Sequence, residues 1–232
     1  MNTPQKTGTK YRILVLDHDD TSVHSTPEIN WPAFVDTLSK LRPGVVFTYD
    51  EFMELCFDPG FDDLCRKILR FNEEEMVFEV ANWKRFGEAT VPTGVDGIRG
   101  IVEAQRRAGG VVAVVSHSVE KTIRRDWNSR FGTLPDVIYA WDDDPFRRKP
   151  SPFPLADLTE RFGCSPSDIL VVDDLKHGYD MAAAAGCDFA YAGWAESARS
   201  TRLFMRDNAS HYLETPKDLE ELLFSCQTQK DC

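Results

Sequence analysis

The sequence predicts an α/β protein in which helices cover both faces of a doubly wound parallel sheet, with an all-helical domain inserted into it. Three short apolar runs, at residues 13–16, 111–115 and 169–172, are each followed at once by polar or acidic residues. Short continuous apolar runs of this kind indicate strands that are buried on both faces. Segments with helical patterning separate the runs, and strands that alternate with helices form parallel sheets.

The elements after the inserted domain follow one another in a regular order. Helices are expected at 95–108, 120–130, 153–162 and 179–185, and a weaker apolar run predicts a further strand at 137–139. Gly186 is a typical residue to end the last of these helices. In doubly wound sheets ligands bind beyond the carboxyl ends of the strands, and the polar clusters of this sequence stand at those ends.

Residues 27–91 interrupt the alternation of strands and helices, and their sequence patterns predict helices only. Thr48 with Glu51, and Asn72 with Glu75, have the spacing of capping boxes, which start helices. Gly87 is expected to end the second of these helices.

These signals predict an α/β core of residues 11–26 and 92–226 and a helical domain of residues 27–91. We favour a lid over the strand ends as the role of this domain, because it leaves the core directly after the first acidic cluster. A decorative helical insertion is the alternative.

The composition limits the classes of partner. The chain of 232 residues has 27 basic and 38 acidic residues, a formal net charge of −11. An acidic surface repels phosphate backbones and anionic lipids, so neither a nucleic acid nor a membrane is an expected partner. No apolar run approaches the roughly 20 residues that span a bilayer, and the first ten residues lack the apolar stretch of a secretory signal.

Six cysteines are scattered along the chain without a CxxC pair: Cys56, Cys65, Cys164, Cys187, Cys226 and Cys232. This usage is typical of reduced thiols rather than of a disulfide framework or a zinc site. We therefore expect a cytoplasmic protein.

The first chemical signal is the acidic segment after the first strand. Asp17 and Asp19 stand two apart in an extended segment, where side chains project to the same side. Two carboxylates so close repel each other, and a divalent cation is the usual way to hold them. Mg²⁺ favours a few carboxylates together with water and phosphate oxygens. Taken by itself, the pair is equally well explained by a solvated turn.

Further polar residues follow the later strands. Ser116 comes after the second apolar run, Lys149 lies in a basic turn, and Asp173 and Asp174 end the run at 169–172. A hydroxyl and an ammonium can hold phosphoryl oxygens, and paired acids suit a metal site. Each has an ordinary alternative, a solvated turn for the lysine or a helix cap for one acid. Their order along the predicted sheet nevertheless predicts one shared pocket.

With these motifs in place, the chain resembles the haloacid dehalogenase superfamily of phosphotransferases. The resemblance is carried by ILVLDHDDT (13–21), VVSHS (114–118), RKPSP (148–152) and ILVVDDLKHGYDMAAAAG (169–186). The inserted helices resemble the C1 cap of the phosphoglycolate phosphatase and β-phosphoglucomutase branches. The tail HYLETPKDLEELL is similar to family members that end in a short strand and helix.

The resemblance implies a role for each motif residue. Asp17 would be the nucleophile, and Asp19 would act as general acid and base while its backbone carbonyl binds Mg²⁺. Ser116 and Lys149 would hold the phosphoryl oxygens. The metal ligands would be Asp17, Asp19 and Asp174, supported by Asp173. The presence of Asp19 favours phosphate esters over carbon–halogen bonds, because only an alkoxide leaving group needs a proton.

The function that this implies is a Mg²⁺-dependent phosphatase that acts on a small phosphorylated metabolite, as a monomer or weak homodimer. A phosphomutase of the β-phosphoglucomutase type is one alternative, since it needs the same residues. A non-catalytic phospho-signalling or binding module on the same scaffold is another.

Some residues depart from the family pattern or have no clear role. His18, Asp20, His117 and Leu175 stand where other residue types are usual, and the histidines are interpreted as hydrogen-bonding groups rather than metal ligands. In the cap, the candidates for substrate contacts are Trp31, Phe52, Trp83, Lys84 and Arg85. Packing is the favoured interpretation of its aromatic residues, because aromatic side chains at helical spacing usually belong to a core.

Overall fold

The computed structural model describes residues 8–225 and contains one six-stranded parallel sheet in the order β3-β2-β1-β4-β5-β6. The strands are β1 (Ile13–Leu16), β2 (Val111–Val115), β3 (Val137–Tyr139), β4 (Ile169–Asp173), β5 (Asp188–Ala192) and β6 (His211–Leu213). The predicted strands are confirmed, with β4 one residue longer than expected. The predictions that concern residues 1–7, Cys226, Cys232 and the domain end at 226 lie outside the described residues.

The first strand is buried on both faces, as its apolar run predicts. Leu14 and Leu16 join the core on one side of the sheet, while Ile13 and Val15 join the core on the other. All four side chains are at most 1% exposed. Burial of one such side chain stabilises a protein by roughly 2 kcal/mol, so this strand anchors both layers.

Helices α5 to α10 cover the two faces of the sheet: α5 (Ile98–Arg107), α6 (Glu120–Phe131), α7 (Phe153–Phe162), α8 (Lys176–Ala185), α9 (Arg199–Asn208) and α10 (Pro216–Phe224). Two predicted starts are wrong. Helix α5 begins at Ile98 rather than at residue 95, because Gly97 has φ +94° and interrupts helical geometry. Helix α8 begins three residues earlier than expected, at Lys176.

The helical domain contains α1 (Trp31–Leu41), α2 (Tyr49–Leu55), the single turn α3 (Phe61–Asp63) and α4 (Glu73–Ala89), joined in part by π-helical turns. Both predicted capping boxes are present at the starts of α2 and α4. The expected end of α4 at Gly87 is wrong, since the helix continues to Ala89 and Gly87 is buried within it.

This domain has a core of its own, built around aromatic rings. Phe34 lies 4.8 Å from Phe52 and 6.1 Å from Trp31 between ring centroids. The three rings pack with Leu64, which is fully buried. Trp31 and Phe52 therefore serve the packing of the cap.

The predicted fold class, a doubly wound α/β core with an inserted all-helical cap, is confirmed. The boundaries of the two domains at 26/27 and 91/92 stay a prediction. In residues 8–225, no helix is long and apolar enough to span a bilayer. The four cysteines in this part of the chain are free thiols, as expected.

Candidate active site

The carboxyl ends of the central strands bring the predicted residues together. Strand β1 lies between β2 and β4, so the residues after these three strands share one edge of the sheet. The Asp17 amide donates to the carbonyl of Val172 (2.9 Å), and the Ser116 amide donates to that of Tyr139 (3.0 Å). These bonds continue the sheet by one residue and hold both side chains at its edge.

Lys149 forms the centre of the cluster. Its Nζ lies 2.8 Å from Oδ1 of Asp17 and 2.6 Å from Oδ2 of Asp173, and it is 5% exposed. The contact with Asp173 is a hydrogen bond, whereas the approach to Asp17 Oδ1 is an ion pair without hydrogen-bond alignment. Although burial opposes the charge, the two carboxylates raise the pKa of Lys149.

Asp17, Asp173 and Asp174 form a buried acidic triad. Each offers an oxygen within 4.8 Å of the others, and Oδ1 of Asp174 has no hydrogen-bond partner. Burial and the neighbouring acids raise the pKa of Asp174, and burial raises that of Asp17 to about 7 despite Lys149. Three buried carboxylates facing one lysine leave an excess of negative charge, which a hard divalent cation would neutralise.

The geometry of the triad requires a glycine on α8. A Cβ at Gly178 would lie 2.3 Å from Oδ2 of Asp173, so a larger residue there would displace this carboxylate. The other oxygen, Oδ1 of Asp173, accepts a hydrogen bond from the amide of Leu175 (2.8 Å). The start of α8 therefore holds Asp173 from two sides.

The carboxylate of Asp19 belongs to a separate group of hydroxyls. Its Oδ1 accepts from Ser25 (2.5 Å), and its Oδ2 accepts from Ser118 (2.8 Å) and Ser116 (3.2 Å). Although burial opposes ionisation, His18 and the hydroxyls of Ser25 and Ser118 lower the pKa of Asp19. Sequence reasoning did not single out Ser25 and Ser118. Ser118 had a signal, since it stands two residues after Ser116 in the same motif.

His117, beside Ser116 in the second motif, makes a hydrogen bond. Nε2 of His117 lies 2.8 Å from the backbone carbonyl of Lys149, and its ring is 5.3 Å from that of His177. Burial and Lys149 lower the pKa of His117 to about 3. A neutral His117 therefore donates to this carbonyl and holds the turn that carries Lys149.

A cavity of about 20 Å³ lies between the cap and the core, beside Asp19. Trp83 and Lys84 of α4 line it together with Ser118 of the core. The Lys84 ammonium lies 4.7 Å from the centre of the Trp141 ring. Arg85 is not among the lining residues and binds Asp36 and Asn82 on the cap instead.

The fold and this edge of the sheet define a class, that of α/β proteins with an acidic cluster at the carboxyl ends of the central strands and an inserted helical cap. The model of the haloacid dehalogenase-like hydrolase family matches residues 15–192. The chain belongs to this family, so the predicted resemblance and the prediction of an enzyme of this hydrolase type are confirmed. No curated protein matches the sequence.

Solved structures show the same fold. A predicted phosphoglycolate phosphatase from Haemophilus somnus is 18% identical, with a TM-score of 0.74 over 92% of this chain and 98% of that one. A mutant of CbbY from Rhodobacter sphaeroides, in complex with xylulose-(1,5)bisphosphate, is 19% identical, with a TM-score of 0.70 over 90% and 96%. A haloacid dehalogenase-like protein from Agrobacterium tumefaciens is 18% identical, with a TM-score of 0.74 over 94% and 100%.

Proposed function

We propose that this protein is a Mg²⁺-dependent phosphatase that hydrolyses a small phosphate monoester through an aspartyl-phosphate on Asp17. The observation that carries the proposal is the ion pair between Lys149 and Asp17, a member of the buried acidic triad. The second aspartate of the motif, Asp19, lies beside the cap cavity. A nucleophile, a cation for phosphoryl oxygens and a second carboxylate for proton transfer are the groups that this reaction needs.

The reaction has two displacements at phosphorus. A carboxylate oxygen of Asp17 attacks phosphorus, the bond from phosphorus to the leaving oxygen breaks, and Asp19 gives that oxygen a proton. Water then attacks the aspartyl-phosphate and gives a proton to Asp19, while the bond from phosphorus to Asp17 breaks. The products are inorganic phosphate and an alcohol, and both aspartates return to their first state.

Asp19 needs a proton for the first displacement, yet its pKa is lowered in the free protein. A phosphate dianion that enters beside Asp19 opposes its ionisation, so we expect substrate binding to be accompanied by proton uptake. The hydroxyls of Ser25 and Ser118 donate to the two carboxylate oxygens and hold the group in one orientation.

The acidic triad fits Mg²⁺, because Oδ1 of Asp174 is buried without a hydrogen-bond partner and all the candidate ligand atoms are hard carboxylate oxygens. Asp17 and Asp174 would hold the ion, with Asp173 held by Lys149 beside them. When bound, Mg²⁺ would screen the nucleophile from the anionic phosphate. Ser116 and Lys149 would hold the remaining phosphoryl oxygens.

We propose a small phosphorylated metabolite as the substrate. Lys84 of the cap lines the cavity beside Asp19 and would place a positive charge near a bound anion. The similar structures include proteins described as a phosphoglycolate phosphatase and as CbbY with a sugar bisphosphate, which is consistent with a small phosphorylated metabolite. The monomer or weak homodimer and the cytoplasmic location stay predictions.

The test is phosphate release from a panel of phosphorylated metabolites and an aryl phosphate, with and without Mg²⁺. Asp17→Asn should lower turnover by at least about a thousandfold, because Asn cannot attack phosphorus. The matched control is Asp63→Asn, which removes a carboxylate that pairs with Lys67 on the cap surface and should leave turnover unchanged. Acid quenching during turnover should leave a phosphoryl group on the peptide that contains Asp17.

Full activity of Asp17→Asn would contradict the proposed nucleophile. Turnover that requires a bisphosphate activator would identify a mutase instead. Binding of beryllofluoride without turnover of any ester would identify a non-catalytic phosphate-binding module.

A further inference from the structure

His18 stands between the two aspartates of the first motif, and its side chain is tied to another element. Nε2 of His18 lies 3.2 Å from Oδ2 of Asp126 on α6, and the two side chains are 1% and 0% exposed. The carboxylate can only accept, so His18 donates this hydrogen bond. Because both groups are buried, the bond fixes the position of the backbone between Asp17 and Asp19.

The second oxygen of Asp126 is held by the preceding residue. Arg125 approaches Oδ1 of Asp126 with Nε at 2.8 Å and Nη2 at 2.7 Å. A buried carboxylate is costly unless both oxygens are compensated. His18 compensates one oxygen of Asp126, and Arg125 compensates the other. Loss of Arg125 would therefore leave Asp126 less firmly held, and with it the hydrogen bond from His18.

Arg125 also binds the end of the last cap helix. Its Nη1 donates to the carbonyls of Gly87 (2.8 Å) and Glu88 (3.0 Å), and its Nη2 donates to that of Thr90 (2.6 Å). The last carbonyls of a helix have no partner within the helix, so a guanidinium is a favourable ligand for them. One side chain of the core thus contacts both the end of α4 and the carboxylate that holds His18.

We propose that Arg125, Asp126 and His18 form a relay that couples the position of cap helix α4 to the segment carrying Asp17 and Asp19, with His18 as a positioning residue. This inference rests on the proposed function for the roles of the two aspartates. When the end of α4 moves away from α6, Arg125 loses three hydrogen bonds and its hold on Asp126 loosens. The segment 17–19 is then held firmly only while the cap is in the position seen here.

Arg130 provides a matched control on the same helix. Its Nε donates to the carbonyl of Pro92 and its Nη2 to that of Val91, each at 2.6 Å. Among the residues that the structure describes, these are the hydrogen bonds of its side chain, and they do not involve the side chain of Asp126. Arg130 therefore binds residues 91–92, which directly follow the residues that Arg125 binds, but its side chain lies outside the relay.

The test compares Arg125→Gln with Arg130→Gln. Both variants should lower Tm, and Arg125→Gln should lower it more, because it also removes a partner of the buried Asp126 carboxylate. Only Arg125→Gln should lower kcat, by about tenfold, which corresponds to about 1.4 kcal/mol in the transition state. It should also speed hydrogen exchange of the backbone amides in a peptide covering residues 13–25, whereas Arg130→Gln should not. Equal effects of the two variants on kcat and on this exchange would overturn the relay.

A second pair of variants tests His18 itself. His18→Gln can still donate to Asp126 and should keep kcat within about threefold, while His18→Leu cannot and should match Arg125→Gln. Arg125→Gln combined with His18→Leu should be no worse than either alone, because both act through Asp126. Additive losses would overturn the coupling. Should Arg125→Gln fail to fold, Arg125→Lys, which cannot reach Asp126 and the carbonyls together, replaces it.

The exchange measurement separates this inference from the proposed function. If the wild-type protein hydrolyses no phosphate ester, the proposed function fails, and hydrogen exchange at 13–25 still decides the relay. If the wild type is active and Arg125→Gln changes neither kcat nor exchange, the relay alone fails.

Discussion

The ammonium of Lys149 lies 2.6 Å from Oδ2 of Asp173, and both side chains are almost completely buried. This ion pair joins the turn before α7 to the end of β4 at the centre of the sheet. Asp17 meets the same ammonium, so one cation compensates two carboxylates. Loss of Lys149 should therefore destabilise the protein more than loss of a lysine from a surface ion pair.

Lys149→Met should lower the free energy of unfolding by about 3–5 kcal/mol at pH 8 without metal, because it leaves buried carboxylates uncompensated. Urea unfolding in the presence of a chelator measures this. The loss should shrink toward pH 5, since Asp17, whose pKa is raised to about 7, can then hold a proton. Lys40→Met removes a half-exposed partner of Asp36 and should cost less than about 1 kcal/mol.

Mg²⁺ should stabilise the folded protein through the acidic triad. At 100 times its dissociation constant, an ion that binds only the native state adds about 2.7 kcal/mol. Asp174→Asn should abolish this rise in Tm, yet it should raise the Tm of the metal-free protein at pH 8, because it removes one of three mutually repelling carboxylates. Asp207→Asn, at an exposed position on α9, should keep the wild-type response. An unchanged response of Asp174→Asn would remove this residue from the metal site.

Gly178→Ala should displace the carboxylate of Asp173. The new Cβ would lie 2.3 Å from Oδ2 of Asp173, so the carboxylate must move away from Lys149. We expect loss of both stability and Mg²⁺-dependent stabilisation. Gly100→Ala on α5 is the control, because a Cβ at Gly100 would have no atom within 4 Å and alanine favours a helix by up to about 1 kcal/mol. Similar melting curves for the two variants would contradict this account.

Glu79→Gln should stabilise the cap in a manner that depends on pH. Burial raises the pKa of Glu79 to about 7, from 4.5 in the unfolded chain. Below about pH 4.5 both states hold the proton, and the variant should match the wild type. As the pH rises to 7, the unfolded state loses its proton first, so the free energy of unfolding of the wild type falls by at most about 3 kcal/mol.

The free energy of unfolding of Glu79→Gln does not fall in this way. The difference in its favour over the wild type should therefore grow between about pH 4.5 and 7 and remain at higher pH. Urea unfolding at pH 4, 6 and 8 measures it. Glu74→Gln, at an exposed position on the same helix, is the control. An equal advantage of Glu79→Gln at pH 4 and pH 8 would show that ionisation is not its cause.

Sequence patterns predicted the elements whose signal is local. Strand β1 has a continuous apolar run, and Asn72 with Glu75 starts α4 by a capping box that needs only these two side chains. Strand β5 gives a weaker signal, because two of the four apolar residues at 189–192 are alanines, which are depleted in strands. It is a strand because β4 and β6 pair with it on either side.

By itself the sequence determined which chemical groups follow the predicted strands: Asp17 and Ser116 come directly after two of them, Lys149 lies in the turn before α7, and Asp173 ends β4. Only the tertiary structure decided how they pair: Asp17 with Lys149, and Asp19 with Ser25 and Ser118. It also decided that His18 meets Asp126, which lies 108 residues away along the chain. Contacts at such separations depend on how helices pack against the sheet, and no local pattern of residue types encodes that packing.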